Sequence, residues 1–306
     1  MTDAPTFSVV IPTYNRADTI LPSLQSIQQQ TFADFECIVV DDGSRDGERL
    51  EAVVASLTDP RFRYIRQANG GGGAARNTGI DAATGRYIAF LDSDDLFIDV
   101  KLERAEKHLA TDQEAVWYSL VTVDRGVERH WVKPSRPIGT GEDVGEYLFF
   151  HNEVIQTSSI VLSADLARAV HFDPLLRKGQ DIDFCIRLAR HGAKFRMIEE
   201  ELAVWQDVTE QDRTSRTAGY AQPMAWLAAN ENCLTEKAII GYRSNILAYF
   251  AASERPWWAA YLLLAGLKAG IDSRIVARQA LRCFLPRGIY RSLVDAFVGF
   301  RGRAPS

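Results

Sequence analysis

The sequence predicts an α/β domain with a mostly parallel central sheet and flanking helices, followed by a helical C-terminal extension. Two observations carry the first half: short β-branched runs alternate with amphipathic stretches up to Leu91, and the connections between them are short. A third carries the second half. From Tyr220 onward the chain holds 11 Lys and Arg against 5 Asp and Glu, whereas the residues before it hold 24 against 35. Two regions are therefore expected, 1–219 and 220–306, with charge balances of −11 and +6.

Each element has its own signal. Ser8–Pro12 is an apolar β-branched run, the mark of a buried strand. Asn15 and Asp18 supply turn and N-cap chemistry, and Ile20, Leu24 and Ile27 recur with helical spacing. Pro22 falls in the first turn of that helix, where a missing N–H costs little. Phe35–Val40 is a second strand, Glu48–Leu57 a helix and Arg61–Arg66 a third strand. Gly70–Gly73 open a helix over Ala74–Ala83 that Gly85 can end. Arg86–Leu91 is the fourth strand.

Composition narrows the classes. A chain of 306 residues with 46% hydrophobic and 25% charged residues is an ordinary globular protein, neither disordered nor a disulfide miniprotein. No apolar run reaches the roughly 18–20 residues that span a bilayer. The N-terminus lacks the basic and apolar regions of a signal peptide, so a cytoplasmic protein is expected, with the cytoplasmic face of a membrane as a second location. Cys37, Cys185, Cys233 and Cys283 are too scattered for a zinc site and are expected as reduced, mostly buried thiols. The acidic first region is unsuited to nucleic acid, which needs clustered positive charge.

Polar clusters fall where strands end. In open α/β sheets ligands bind beyond the carboxyl ends of the strands. Those ends carry Thr13-Tyr14-Asn15-Arg16, Asp41-Asp42, Asn69 with the glycines, and Asp92-Ser93-Asp94-Asp95. Adjacent carboxylates repel unless a positive charge lies among them, and a divalent cation with a diphosphate as second ligand is a natural partner. A solvated turn supplying N-caps accounts for the same residues. Asp41 and Asp42 suit ribose hydroxyls or a base N–H, or equally a plain turn. Gly70–Gly73 suit a phosphate cradle at a helix N-terminus, or a lid or loop. A dehydrogenase is excluded, because its glycine fingerprint belongs after the first strand and that turn here reads Pro12-Thr13-Tyr14-Asn15.

Taken in order, VVIPTYNR, VVDDGS, GGGGAARNTGI and RYIAFLDSDD closely resemble glycosyltransferase family 2. Phe172-Asp173, then Gly179-Gln180-Asp181-Ile182-Asp183-Phe184 and RLARHGAKF, resemble the family's second-half motif, so the resemblance spans about residues 6–205. It implies a GT-A fold and inverting, metal-dependent transfer from a nucleotide-diphosphate sugar, a UDP-sugar being favoured, to a hydroxyl of a glycan or lipid-linked acceptor in cell-surface polysaccharide synthesis. Pro12, Tyr14, Asp41 and Asp42 match positions that hold nucleobase and ribose, with Thr13 and Asn15 beside them. Arg76 matches a residue near the nucleotide, with Asn77 next to it. Asp92 and Ser93 match the ribose side of the DxD motif, and Asp94 the carboxylate for Mn²⁺ or Mg²⁺, with Asp95 as a further contact. Asp181 matches the general base, and helical spacing of Ile182, Ile186 and Ala189 puts it at a helix N-terminus, whose dipole should keep it ionised.

Two departures from the family pattern follow. Gln180 stands where the family usually has Glu, and no histidine occurs in LAVWQDVTEQDRTSR, leaving Gln206 or Asp207 as substitutes. Two other classes fit parts of the pattern. A non-catalytic nucleotide-sugar binding module would not need Asp181. A sugar-phosphate nucleotidyltransferase would need a glycine-rich basic loop after the first strand, which PTYNR is not.

The extension reads as helices. Trp257–Leu267 is apolar but too short to span a bilayer. Arg274, Arg278 and Arg282 share one helical face among apolar residues, and Pro286 interrupts the pattern. Either residues 257–293 form an interfacial contact with membrane, or they are a helical subdomain with its arginines in solvent.

Overall fold

The computed structural model describes residues 4–207 and 219–301. They form two compact units. The first holds the described residues up to Asp124, Val132–Pro137 and those from Ile155 to Asp207; the second holds Arg125–Trp131, Ile138–Val154 and those from Gly219 on. Two internal segments thus join the helical C-terminal region, which a single cut near residue 219 does not anticipate.

The first unit is built on β1 (Phe7–Thr13), β2 (Phe35–Asp41), β3 (Phe62–Arg66), β4 (Tyr87–Phe90), β5 (Leu96–Phe97), β6 (Val116–Asp124), β7 (Trp131–Lys133), β8 (Ile160–Ser163) and β9 (Phe195–Gln206). Their order is β3-β2-β1-β4-β8-β6-β9-β5, with β7 on β6. Strands β3, β2, β1 and β4 run parallel, as do β6 and β9; β8 is antiparallel to both β4 and β6, and β5 to β9. The sheet is therefore mixed, with the expected parallel half leading.

Every residue of β1, β2 and β4 is buried, which is why these strands read as continuous apolar runs rather than alternations. Each fully buried Val or Ile contributes about 1.5–3 kcal/mol. The helices α1 (Leu21–Gln28), α2 (Gly47–Ser56), α3 (Gly72–Ala82), α4 (Lys101–Leu109), α5 (Ala164–Val170) and α6 (Gln180–Arg190) complete this unit. Helix α3 lies close on β1: a Cβ on Gly79 would stand 2.3 Å from Val10 Cγ1, so only glycine fits.

Three local expectations change. Asp18 does not cap α1, which starts after Ile20 with no side-chain cap; Asp18 pairs instead with Arg49. The last two glycines of the run are themselves part of α3, which begins at Gly72. Gly85 does not end that helix: the chain turns extended at Ala83, and Gly85 N–H donates to Ser8 Oγ at 2.9 Å.

The second unit is helical, as the sequence predicts: α7 (Ala221–Asn230), α8 (Glu236–Tyr242), α9 (Ala248–Ala251), α10 (Pro256–Lys268), α11 (Ser273–Phe284) and α12 (Arg287–Arg301). It has its own core, in which Phe150, Leu247, Leu262, Leu263 and Ile271 are buried together. Among the described residues no helix is long and apolar enough to cross a membrane. All four cysteines are free, with Cys233 exposed rather than buried.

Candidate active site

Parallel pairing puts the polar clusters along one edge of the sheet. Thr13 at the end of β1 is level with Asp41 at the end of β2, and Leu91 N–H bonds Val10 O as the chain leaves β4. The motifs after β1, β2, β3 and β4 thus share the carboxyl edge where such sheets bind ligands.

The β1 turn is set by Asn15, whose backbone φ is 53°. Its Oδ1 accepts from Arg45 N–H at 2.9 Å, and its own N–H donates to Ser44 Oγ at 2.8 Å. Pro12 and Thr13 are buried, while Tyr14 is 44% exposed and offers its ring to a planar ligand. Arg16 reaches Asp94, with Nη2 3.3 Å from Oδ2.

Asp41 and Asp42 are both buried, and both are taken up from within the protein. Asp41 accepts from Ser44 N–H at 2.8 Å and from the Tyr64 hydroxyl at 2.6 Å. Burial and that bond hold the Tyr64 phenol well above its usual range. Asp42 accepts from Gln67 Nε2 and Gly70 N–H at 2.8 Å each, and from Gly71 N–H at 2.7 Å. Within the glycine run, the Gly70 and Gly71 N–H groups thus already serve Asp42, while those of Gly72 and Gly73 open α3. Gly71 has φ +90°, which a larger residue resists.

Arg76 is the hub of the site. Its guanidinium pairs with Asp92, donates to Gln180 Oε1 at 2.7 Å and lies over the Phe172 ring at 5.3 Å. Beneath it Phe172 and Phe184 stack with centroids 4.0 Å apart, and Phe90 meets both edge-on. This aromatic cluster sets the head of α6 against the end of β4. Asn77 belongs to the scaffold rather than the donor side: its amide accepts from Phe172 N–H at 2.8 Å and donates to Phe172 O at 2.9 Å.

The acids after β4 divide by environment. Asp92 and Asp94 keep 28% and 47% of their side chains exposed. Asp95 is buried and accepts from Gln156 Nε2 at 2.6 Å, Ser158 Oγ at 2.7 Å and Gln206 N–H at 3.1 Å. Burial, with Asp92 and Asp94 beside it, pushes the Asp95 carboxyl well above the usual carboxylate range. Ser158 Oγ also accepts from Asp92 N–H at 3.0 Å, so one hydroxyl braces both ends of the motif. With Asp95 engaged, Asp92 and Asp94 are the hard oxygen donors facing solvent. They suit a divalent cation that completes its shell with diphosphate and water. Among the described residues no three His, Cys, Asp or Glu form a closed metal cluster.

Asp181 lies in the first turn of α6, after Gly179 at φ 66°. It is half-buried at its surface, with protein crowding its carboxyl. Burial pushes that carboxyl up; the Ile182 N–H opposes the shift, the Asp92 charge adds to it and the Arg76 guanidinium opposes it. Desolvation thus outweighs the N–H groups at the helix N-terminus in setting the direction of the shift. Asp207 is buried, with its N–H on Asp124 O; residues 208–216 of the segment lacking histidine lie outside the described residues. Trp117 belongs to the core, with Nε1 donating to Asp112 O at 3.0 Å.

Gln156 and Ser158 are site residues that the sequence reading did not select, and Arg16 one to which it gave no role. Arg16 sits inside a matched motif, whereas Gln156 and Ser158 carry no local signal and reach Asp95 only through the fold.

A model described as "Glycosyl transferase family 2" matches residues 8–171. The amylovoran biosynthesis glycosyltransferase AmsB of Erwinia amylovora is 34% identical over 246 residues, covering 78% of this chain and 82% of that protein. The chain belongs to glycosyltransferase family 2.

Within this family 2 member the matched segment ends before Asp181, so the head of α6 stands on geometry and on the quoted motif. A second relative is WfgD of Escherichia coli, a UDP-Glc:α-D-GlcNAc-diphosphoundecaprenol β-1,3-glucosyltransferase. It is 43% identical over 97 residues, 31% of this chain and 38% of that one. Among solved structures, TarS of S. aureus in complex with UDP-GlcNAc aligns with a TM-score of 0.65 at 18% identity, covering 95% of this chain and 91% of that one. That likeness is one of fold, and it agrees with a GT-A catalytic unit followed by helices.

Proposed function

We propose that this family 2 glycosyltransferase is an inverting, metal-dependent enzyme of polysaccharide assembly, moving a sugar from a UDP-sugar to a hydroxyl of a glycan or lipid-linked acceptor. The observation that carries the reading is the convergence of Asp92, Arg76, Gln180 and Asp181 at the carboxyl edge of β4. The polysaccharide role is supported by the similarity to AmsB, and the donor class by the nucleotide sugars named for WfgD and TarS.

In this reading Tyr14 stacks on the base, while the buried Asp41 and Asp42 shape the floor beneath it. Asp92 meets the ribose side, and Arg76 holds Asp92 in place. Asp94 and Asp92 hold Mn²⁺ or Mg²⁺, which when bound supplies counter-charge for the departing diphosphate. Asp95 braces the turn from inside. Asp181 takes the proton of the acceptor hydroxyl as that oxygen attacks the anomeric carbon and the bond to the diphosphate breaks. One displacement inverts the anomeric centre. The raised proton affinity of Asp181 suits a base that must hold a proton at the end of the step.

The test is a thermal-shift panel of nucleotide sugars with and without Mn²⁺, followed by NMR of the product anomer. A UDP-sugar that stabilises the protein only with the metal, and is transferred with inversion, supports the reading. Donor binding without transfer or hydrolysis would instead make the chain a binding module.

A further inference from the structure

Eleven of the fifteen large apolar side chains exposed among the described residues lie from Met224 onward, in the helical unit. They are ordered by face. Trp257, Tyr261 and Leu264 stand out along α10, at 88%, 65% and 58% exposed. The opposite face of α10, with Leu262 and Leu263, fills the core, so the exposed row is a second apolar face rather than leftover surface. Between α11 and α12 runs a groove of about 490 Å³, walled by apolar side chains with Arg274 and Arg278 beside them. Leu293 and Phe297 line it and are each 51% exposed.

The arginines of this unit fall into two groups. Arg125 and Arg291 pair with Asp295, and Arg282 lies over the Tyr249 ring at 4.1 Å. Arg282 therefore leaves the row that its spacing suggests. Among the described residues no carboxylate pairs with Arg274, Arg278 or Arg287. Unpaired guanidinium groups beside an open apolar groove ask for a partner that is anionic at its surface and apolar below. A soluble protein helix would bring the apolar part without a dense negative charge.

We infer that α10, α11 and α12 form a docking surface for an anionic lipid bilayer, with Arg274, Arg278 and Arg287 at the headgroups and the exposed apolar residues below them. The attachment is peripheral and reversible, since an amphipathic face of this kind lies in the interface rather than spanning it. The inference rests on the helical unit alone and stands apart from the catalytic reading.

The experiment is co-sedimentation of the full-length protein with vesicles of phosphatidylcholine alone or with 30% phosphatidylglycerol. Binding is expected to the anionic vesicles, and to weaken in high salt as the charges are screened. Arg274→Gln with Arg278→Gln should lower the partition coefficient about 25-fold, at roughly fivefold for each basic residue near an anionic surface. Trp257→Ser, at a site too exposed to disturb folding, should weaken binding at every salt concentration. Circular dichroism melts and donor hydrolysis should match the parent in both variants. Equal sedimentation of the parent with the two vesicle types, or of the double variant and the parent, overturns the inference. So does a dimer seen by light scattering that Phe297→Ser dissolves while vesicle binding is absent, for the groove would then be a contact between copies of this chain.

Discussion

Arg76 Nη1 donates to Gln180 Oε1 at 2.7 Å, joining α3 to the first turn of α6 across 104 residues of sequence. The same guanidinium pairs with Asp92, so one side chain ties the acid after β4 to the residue beside Asp181. A glutamine here satisfies Arg76 without adding a third negative charge next to Asp92 and Asp181. Gln180→Glu should therefore raise the proton affinity of Asp181 and move the acid limb of the kcat/KM profile to higher pH. Gln180→Met should lower turnover and leave the limb in place. A limb that does not move in Gln180→Glu would mean that Arg76 neutralises the added charge.

Asp181→Asn should keep donor affinity and lose transfer by roughly 10²–10⁴-fold, the scale of general-base catalysis. In the parent, burial raises the carboxyl, and the base works only when ionised, so activity should fall as pH drops through that raised value. Calorimetry of UDP binding together with a pH–rate profile checks both parts. Weaker UDP binding with unchanged turnover would make Asp181 a binding residue.

Asp94→Asn should lower turnover by roughly 10²–10⁴-fold, which corresponds to the several kcal/mol a bound cation supplies to a departing diphosphate. UDP affinity measured in Mn²⁺ should fall to the value the parent shows in excess chelator. Full parental activity in chelator would exclude the metal role.

Ser158 bonds both Asp95 Oδ2 and Asp92 N–H. Ser158→Ala leaves the Asp92 N–H without its acceptor, at about 1–3 kcal/mol for a group left unsatisfied, while Asp95 Oδ2 loses one donor and keeps Gln156 Nε2. Urea unfolding should show that loss, and donor KM should rise because the turn carrying Asp92 and Asp94 loosens. Unchanged stability would mean that water replaces the hydroxyl.

Lys101 is fully buried, with Nζ 3.3 Å from Ser159 O and 3.4 Å from Ser119 Oγ, and burial pushes its ammonium down to about 7. An unfolded lysine holds its proton to about 10.4. Between these values the unfolded chain binds more protons than the folded one, so stability should rise with pH from about 7 upward. The slope is at most about 1.4 kcal/mol per pH unit. Lys101→Met should flatten that rise and be the more stable protein at pH 7. Denaturant midpoints from pH 7 to 9 provide the test, and parallel curves for the two proteins would count against it.

Hydropathy patterning and residue type along the chain decided the fold class, the leading strands and the positions of the acidic motifs. A fully buried parallel strand reads as a largely apolar run, as the centres of β1 and β2 do, and a motif that follows such a strand must emerge at its carboxyl edge. The helical nature of the C-terminal region was legible for the same local reason. What each acid does was not. Asp92, Asp94 and Asp95 are alike as residues, yet Asp95 is turned inward because Gln156, Ser158 and Gln206 arrive from distant segments to bond it. Gly70 and Gly71 looked open to phosphate until Asp42 took their N–H groups, and Arg282 looked free until Tyr249 came beneath it. At Asp181 the helix N-terminus was legible, and the burial that raises its proton affinity was not. Local periodicity records which face a residue shares with its neighbours in sequence. Hydrogen-bond saturation, ion pairing and desolvation depend on groups brought in from elsewhere in the chain, and only the tertiary structure decides those.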